Sequence, residues 1–406
     1  MLRKIVISGG WGYGNLGDEI IAKCTIDLLD RYFPNIQKIF TSYDIENFSR
    51  THHLSALESV HSIFERNGYE IKDIGASIEN PEAYGIDEFA GLFDRDTMFL
   101  MSGGGYFDGR WNNQFAARIV EMQLAQKAGA KTAIIGQSIG PLINAQEAVL
   151  LKNVLEFCDF VNVRDEDSKR LIADLLPHKK VSCTSDIAVM ISDLLPAIRE
   201  ERNGICNLIV QIYTDYVPNG KKVHKNNTLY SKIRKRVLLR QYRYDFAWVR
   251  LLREIHNKTD YKMQIILNVQ GTQKVGNAHF EKYAKKLIRL SHCDEIKIVQ
   301  STSIEDFCNK LANAETIISC KMHPLIISSS YGVRTYALSQ HYKIDAYMKW
   351  IGRESACCRN NKIKPKKLID QLLNEDLELQ LRSNRAIQAR KQEVCDMFEK
   401  LSELIL

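Results

Sequence analysis

The segment Ser319-Cys320-Lys321-Met322-His323-Pro324 sets a lysine and a histidine two positions apart, after the strand-like run Thr316 to Ser319 and before the helical stretch Leu325 to Tyr331. An imidazole exchanges protons near neutral pH, and a neighbouring ammonium supplies fixed positive charge for a phosphate or carboxylate. If the segment is extended, alternation puts Lys321 and His323 on the same side. The bland alternative for His323 is a helix-entry residue held by a backbone carbonyl; the strand-end position argues against it. Arg164-Asp165 ends the run Phe160-Val161-Asn162-Val163, and Asp186 follows Ser185. Arg164 can hold a carboxylate bidentately while Asp165 or Asp186 orients acceptor hydroxyls, or the three form an ordinary surface ion pair.

Glycine supplies a second kind of site. Gly12-Tyr13-Gly14-Asn15-Leu16-Gly17 spells G-x-G-x-x-G after a strand and opens a helix, where backbone amides and the helix N-terminus favour an anion. A dinucleotide reading wants an acid about 20 residues on, and Asp44 is only a loose candidate. Asp18, directly after the last glycine, would repel a pyrophosphate. Ser102-Gly103-Gly104-Gly105 and Gly136-Gln137-Ser138-Ile139-Gly140-Pro141 are read as two further glycine turns after strands. Any one of the three is explained by positive φ alone. Three at the carboxyl edge of one sheet mark a ligand site.

The elements that must position these residues alternate between strand and helix. Lys4–Ser8, Thr97–Met101, Lys131–Ile135, Phe160–Val163 and Val181–Asp186 read as strands, with helices over Glu19–Tyr32, Asn113–Lys127, Ala145–Phe157 and Arg164–Leu176. The pattern restarts with strands Cys206–Tyr213, Tyr261–Val269, Ile296–Val299 and Thr316–Ser319, and helices Phe246–Asn257, His279–Ser291 and Ile304–Asn313. This is an α/β chain with parallel sheets, in two Rossmann-like domains. The polar stretch Pro196 to Gly204 divides residues 1–198 from 199–372, and 373–406 forms a C-terminal helix that packs on a domain face.

Length and composition agree. A chain of 406 residues fits two cores better than one, and 45% hydrophobic with 26% charged residues is globular, which excludes disordered, collagen-like and low-complexity classes. The ten cysteines include no Cys-x-x-Cys pair, so neither a zinc site nor a disulfide framework is expected, and no metal. No run reaches the length of a membrane-spanning helix, and a cytoplasmic protein is expected. The net charge of +7 is local: nine basic residues and no acid lie between Lys221 and Arg243. A solvated insertion loop is its commonest meaning. With nucleic-acid motifs absent, 221–243 also suits the anionic inner face of a membrane.

Taken together, Gly12-Tyr13-Gly14-Asn15-Leu16-Gly17-Asp18-Glu19, Ser102-Gly103-Gly104-Gly105, Gly136 to Pro141, Val163-Arg164-Asp165, Lys321-Met322-His323-Pro324-Leu325 and Gly332-Val333 resemble the polysaccharide pyruvyl transferase family, in order over residues 4 to 352. The resemblance implies a glycosyltransferase type B fold with two domains facing across a cleft. It also implies transfer of a pyruvyl group from phosphoenolpyruvate, a co-substrate rather than a cofactor, to two hydroxyls of a sugar as a cyclic ketal. His323 is then the acid and base. Lys321, Lys343, Arg164 and Ser319 bind the donor; Gly14, Asn15, Gly17, Asp18, Gly103, Gly104, Gly105, Gln137, Asp165 and Asp186 line the acceptor side or a shared cleft. The acceptor is a free or lipid-linked saccharide of an exopolysaccharide, capsule or cell wall. Two departures stand out: Lys321 replaces the family's usual arginine, and Gln340-His341-Tyr342-Lys343 replaces Tyr-Asp-x-Lys, with Arg334 where a proline is expected. A nucleotide-sugar glycosyltransferase and a non-catalytic glycan-binding protein are the alternatives.

Overall fold

The computed structural model describes residues 2–198, 204–210, 228–267, 274–339, 342–359, 364–374 and 377–405, with backbone only at 228–240, 274–277, 342, 359 and 405. The chain divides into two compact units, residues 1–190 with 390–406, and residues 191–389.

In unit 1, seven parallel strands form one sheet in the order β3-β2-β1-β4-β5-β6-β7. They are β1 Lys4–Ser8, β2 Gln37–Ser42, β3 Ala56–Glu58, β4 Thr97–Phe107, β5 Lys131–Ile139, β6 Phe160–Val163 and β7 Ser182–Cys183. Strands buried on both faces need apolar residues throughout, and Ile5, Val6 and Ile7 are fully buried. Helices α1 (Leu16–Tyr32), α2 (Asn112–Lys127), α3 (Ala145–Glu156) and α4 (Glu166–Leu175) make the crossovers. Asn15 starts α1 by accepting from the Gly17 amide at 3.2 Å, and Asp165 starts α4 by accepting from the Ser168 amide at 2.8 Å. Asp44, the loose dinucleotide candidate, is likewise a cap: it accepts from the Asn47 amide, which begins the helix Ile45–His52.

Two of the three expected glycine turns are strand. β4 runs on through Gly103-Gly104-Gly105 and β5 through Gly136 to Ile139, pairing Gly104 with Gln137 and Phe107 with Ile139 across an irregularity. The reason lies in what the glycines touch. A Cβ on Gly103 would stand 2.4 Å from the Ile21 side chain of α1, and one on Gly104 would stand 2.1 Å from the Tyr106 ring. Here glycine admits close neighbours instead of reversing the chain.

Unit 2 repeats the architecture with six parallel strands in the order β10-β9-β8-β11-β12-β13. They are β8 Ile205–Ile209, β9 Lys262–Leu267, β10 Lys297–Gln300, β11 Thr316–Ser319, β12 Arg334–Ser339 and β13 Cys357–Arg359. Helix α5 spans Thr228–Lys258 and α6 Lys274–Ser291; α7 spans Met322–Ser330, α8 Tyr342–Trp350 and α9 Leu377–Ile405. The expected basic loop is therefore helix from Thr228 onward, while 221–227 lies outside the described residues. The same holds for 199–203 within the Pro196–Gly204 stretch expected to divide the domains; the units change at Met190 and Ile191. The terminal helix is divided between the units, which changes at Ala389 and Arg390.

Candidate functional site

In both sheets the strands are parallel, so their carboxyl ends gather at one edge, and the chemistry-bearing residues collect there. The two edges are built differently.

At the unit 1 edge the first glycine turn faces inward. Glu19, fully buried, accepts from the amides of Gly12 at 2.9 Å and Gly14 at 3.2 Å and bonds His52 Nε2 at 2.9 Å. Asn15 Nδ2 donates to Asp18 at 2.7 Å. The amides of Gly12, Gly14 and Gly17 are thus taken within the turn, which corrects the expectation that they cradle a ligand. Asp18 and Asn15 remain half-buried at its rim.

Arg164 is also fixed from within. Its Nε donates to Ser138 Oγ at 2.8 Å and its Nη1 pairs with Asp186. Ser138 in turn donates to Asp165 at 2.5 Å, and Asp186 accepts from the Ala188 amide at 2.9 Å. Burial works against the Arg164 charge, but Asp186 and then Asp165 outweigh it and raise its pKa. The expected alternatives, a carboxylate clamp or a surface pair, give way to a buried network. Gln137 is equally committed: its Nε2 donates to the Ser102 carbonyl at 2.8 Å, which ties β5 to β4.

Several residues at this edge escaped the sequence reading. Tyr106, directly after Gly105, is buried with Arg118 at 5.3 Å over its ring; a Cβ on Gly10 would lie 2.1 Å from its hydroxyl. Burial first and the Asp18 charge second push its pKa well above the usual phenol range, against the pull of Arg118 and Arg164. It therefore stays a neutral phenol. Arg118 itself is anchored by Glu121 at 2.8 Å, Ser8 Oγ at 2.6 Å and the Gly9 carbonyl at 2.8 Å. Beside this network Tyr13 and Tyr43 stack at 3.8 Å between centroids, and the Tyr13 hydroxyl bonds His61 Nδ1 at 2.8 Å. Burial, then the Arg118 charge, lowers the His61 pKa to about 3, so its imidazole is neutral. Burial raises the Tyr43 hydroxyl to about 12. Both tyrosines are half-buried and form an aromatic surface at the ends of β1 and β2.

The unit 2 edge is cationic. Lys321 caps α7 and Met322, His323 and Pro324 occupy its first turn, so the alternation expected for an extended segment does not apply. Proline is tolerated there because first-turn amides have no helical acceptor. Lys321 and His323 are both half-buried, and the Lys321 ammonium lies 4.5 Å over the Phe280 ring. Ser319, expected to touch the donor, is fully buried and holds the corner instead: its hydroxyl accepts from the Lys321 amide at 2.9 Å and donates to the Lys321 carbonyl at 2.8 Å. β12 pairs with β11, Ser319 opposite Ala337, and α8 follows β12. Lys343, half-buried in the first turn of α8, thus belongs to the strand end next to that of Lys321 and His323. Gln340 and His341 lie outside the described residues.

The described residues include one trio with metal-ligand spacing, His256, Cys293 and Glu295. It lies away from this edge, at the end of α5 and just before β10.

The architecture is that of glycosyltransferase type B proteins. A UDP complex of MnaA from S. aureus superposes with a TM-score of 0.58 at 11% identity, over 95% of this chain and 91% of that one. UDP-GlcNAc 2-epimerase from Neisseria meningitidis, bound to UDP-GlcNAc, gives 0.55 at 13% identity over 98% and 100%. The α,α-trehalose 6-phosphate synthase of Burkholderia multivorans gives 0.58 at 8% identity over 100% and 98%. At such identities the likeness is one of fold. No curated protein sequence matches the chain. Residues 15–342 match the polysaccharide pyruvyl transferase family, and the chain belongs to that family. Among the described residues no helix is long and apolar enough to cross a membrane.

Proposed function

We propose that the protein transfers a pyruvyl group from phosphoenolpyruvate to two hydroxyls of a saccharide, forming a cyclic ketal and releasing phosphate. The observation that carries this reading is the placement of Lys321, His323 and Lys343 at adjacent strand ends of unit 2, in a chain of the pyruvyl transferase family. A doubly ionised donor needs positive charge at its carboxylate and phosphate, and a proton donor at its methylene.

A sugar hydroxyl adds to C2 of the enol phosphate while the methylene carbon takes a proton and becomes methyl. The C2–O bond to phosphate then breaks, and the second hydroxyl closes the ketal at C2. Of the two hydroxyl protons, one is matched by the new methyl proton and the other leaves with phosphate. His323 delivers the methylene proton and relays the hydroxyl protons. Lys321 and Lys343 hold the anionic groups. Because Lys321 is a point charge where an arginine is usual, orientation of the donor falls more heavily on the other contacts.

For the acceptor, the stacked Tyr13 and Tyr43 rings offer an apolar face to a sugar ring, and Asp18 and Asn15 beside them offer hydroxyl partners. Arg164 and Asp165 act as positioning residues within their network. The protein would work on glycan precursors in the cytoplasm. The test is incubation with phosphoenolpyruvate and a panel of free and lipid-linked saccharides, read by phosphate release and by the mass of the sugar. Pyruvylated product in wild type and none in H323A supports the reading. Product from a nucleotide sugar instead would make the protein a glycosyltransferase.

A further inference from the structure

The strongest feature outside the sites above lies on unit 2, between α5 and α6. A cavity of about 610 Å³ opens there, where Lys282, Lys285, Lys286, Arg289 and Tyr283 of α6 face Gln241 of α5. Four of its lining residues are lysine or arginine, whose stems are apolar and whose heads are charged. Four fixed cations face two carboxylates: Asp245, buried, takes Lys286 at 2.5 Å and the Tyr283 hydroxyl at 2.8 Å, and Glu281 takes Lys285 at 2.6 Å. Positive charge is left in excess.

Beside it, α5 presents Tyr242 at 72% exposure and Phe246 at 67%, one turn apart and so on one face. Arg243 and Arg250 are exposed on the same helix, and Leu290 is 40% exposed at the end of α6. Helix α5 starts at Thr228, and the sequence from Lys221 to Arg243 carries nine basic residues and no acid. Large apolar groups projecting among cations are unfavourable in water and favourable at the boundary between acyl chains and anionic headgroups.

We propose that the α5–α6 face of unit 2 docks on a bilayer bearing anionic phospholipids, with Tyr242 and Phe246 inserted at the interface and the basic cavity receiving a lipid phosphate. Charge complementarity argues for an anionic surface. Leu290, an exposed aliphatic side chain with no ring on which a base can stack, argues for acyl chains over nucleic acid.

The experiment is flotation of the full chain with phosphatidylcholine vesicles, with and without phosphatidylglycerol, at low and high salt. Wild type floats with the anionic vesicles only, and salt weakens it. K282Q/K285Q/R289Q binds roughly a hundredfold more weakly, since each cation near an anionic surface contributes about fivefold. Y242S/F246S, which alters only exposed side chains, binds about tenfold more weakly with an unchanged melting temperature. Vesicle binding is read without turnover, so it stands or falls independently of the pyruvyl reaction. Equal flotation with neutral vesicles, undiminished flotation of both variants, or failure to float alongside salt-sensitive capture of single-stranded RNA would each overturn the proposal.

Discussion

The carboxyl edges of the two sheets use their charges in opposite ways. In unit 1 Arg164, Asp165 and Asp186, read from the sequence as ligand contacts, are tied into one buried network, and Glu19 takes the amides of its own turn, while Asp18 stays half-buried at the rim. Beside Asp18 that edge carries an aromatic pair, Tyr13 stacked on Tyr43, with His61 uncharged against the Tyr13 hydroxyl. Unit 2 places Lys321 and His323, half-buried, in and before the first turn of a helix whose corner is tied by Ser319. The lesson is that similar strand-end motifs can build either a buried frame or a half-buried cationic corner, and burial with partners decides which.

That contrast can be broken by substitution. The largest effect is expected from H323A, which removes the proposed proton-transfer group: activity falls by about 10²–10⁴-fold with the melting temperature unchanged. R164M does the reverse kind of damage, because it strands Asp186 without its cation. A loss of about 3–5 kcal/mol in unfolding free energy is expected by denaturant titration, and the paired change R164M/D186L recovers much of it. If R164M instead left stability intact and abolished donor binding, the contrast between the two edges would disappear.

G104A comes next. Gly104 has φ of +123° and no room against Tyr106, so about 1–3 kcal/mol of stability is lost. His61 should make unit 1 sensitive to acid. Its folded pKa of about 3 lies below the ordinary 6.5, so its contribution is fully present above pH 6.5 and is lost as pH falls toward 3. The slope it adds is at most about 1.4 kcal/mol per pH unit, and H61Q should flatten the stability profile in that window. The smallest effect is that of K321R, which restores a forked cation; KM for phosphoenolpyruvate should drop about threefold with kcat little changed.

Much of the framework was legible because period and punctuation report strands and helices directly. β1 and β11 have the bounds read from the sequence, Lys4–Ser8 and Thr316–Ser319. The glycine segments were not legible as strand, since the reason for Gly103 and Gly104 is the approach of Ile21 and Tyr106, which only the fold reveals. Tyr106 had a signal that was passed over, its place directly after three glycines. Tyr13, Tyr43 and His61 had none, because adjacency of β1 and β2 brings together residues that spacing keeps apart. The length of α5 was hidden by its charge, although the stretch from 221 to 270 contains neither glycine nor proline, a permissive sign for helix.

The most direct measurement follows the fate of the enol phosphate carbon. With phosphoenolpyruvate labelled at the methylene carbon and a saccharide acceptor, the wild-type protein should release phosphate and place the label on the sugar as a ketal methyl group, while H323A should do neither. Label that stays in phosphoenolpyruvate across free and lipid-linked acceptors, with the sugar of a nucleotide sugar transferred in its place, would contradict the account.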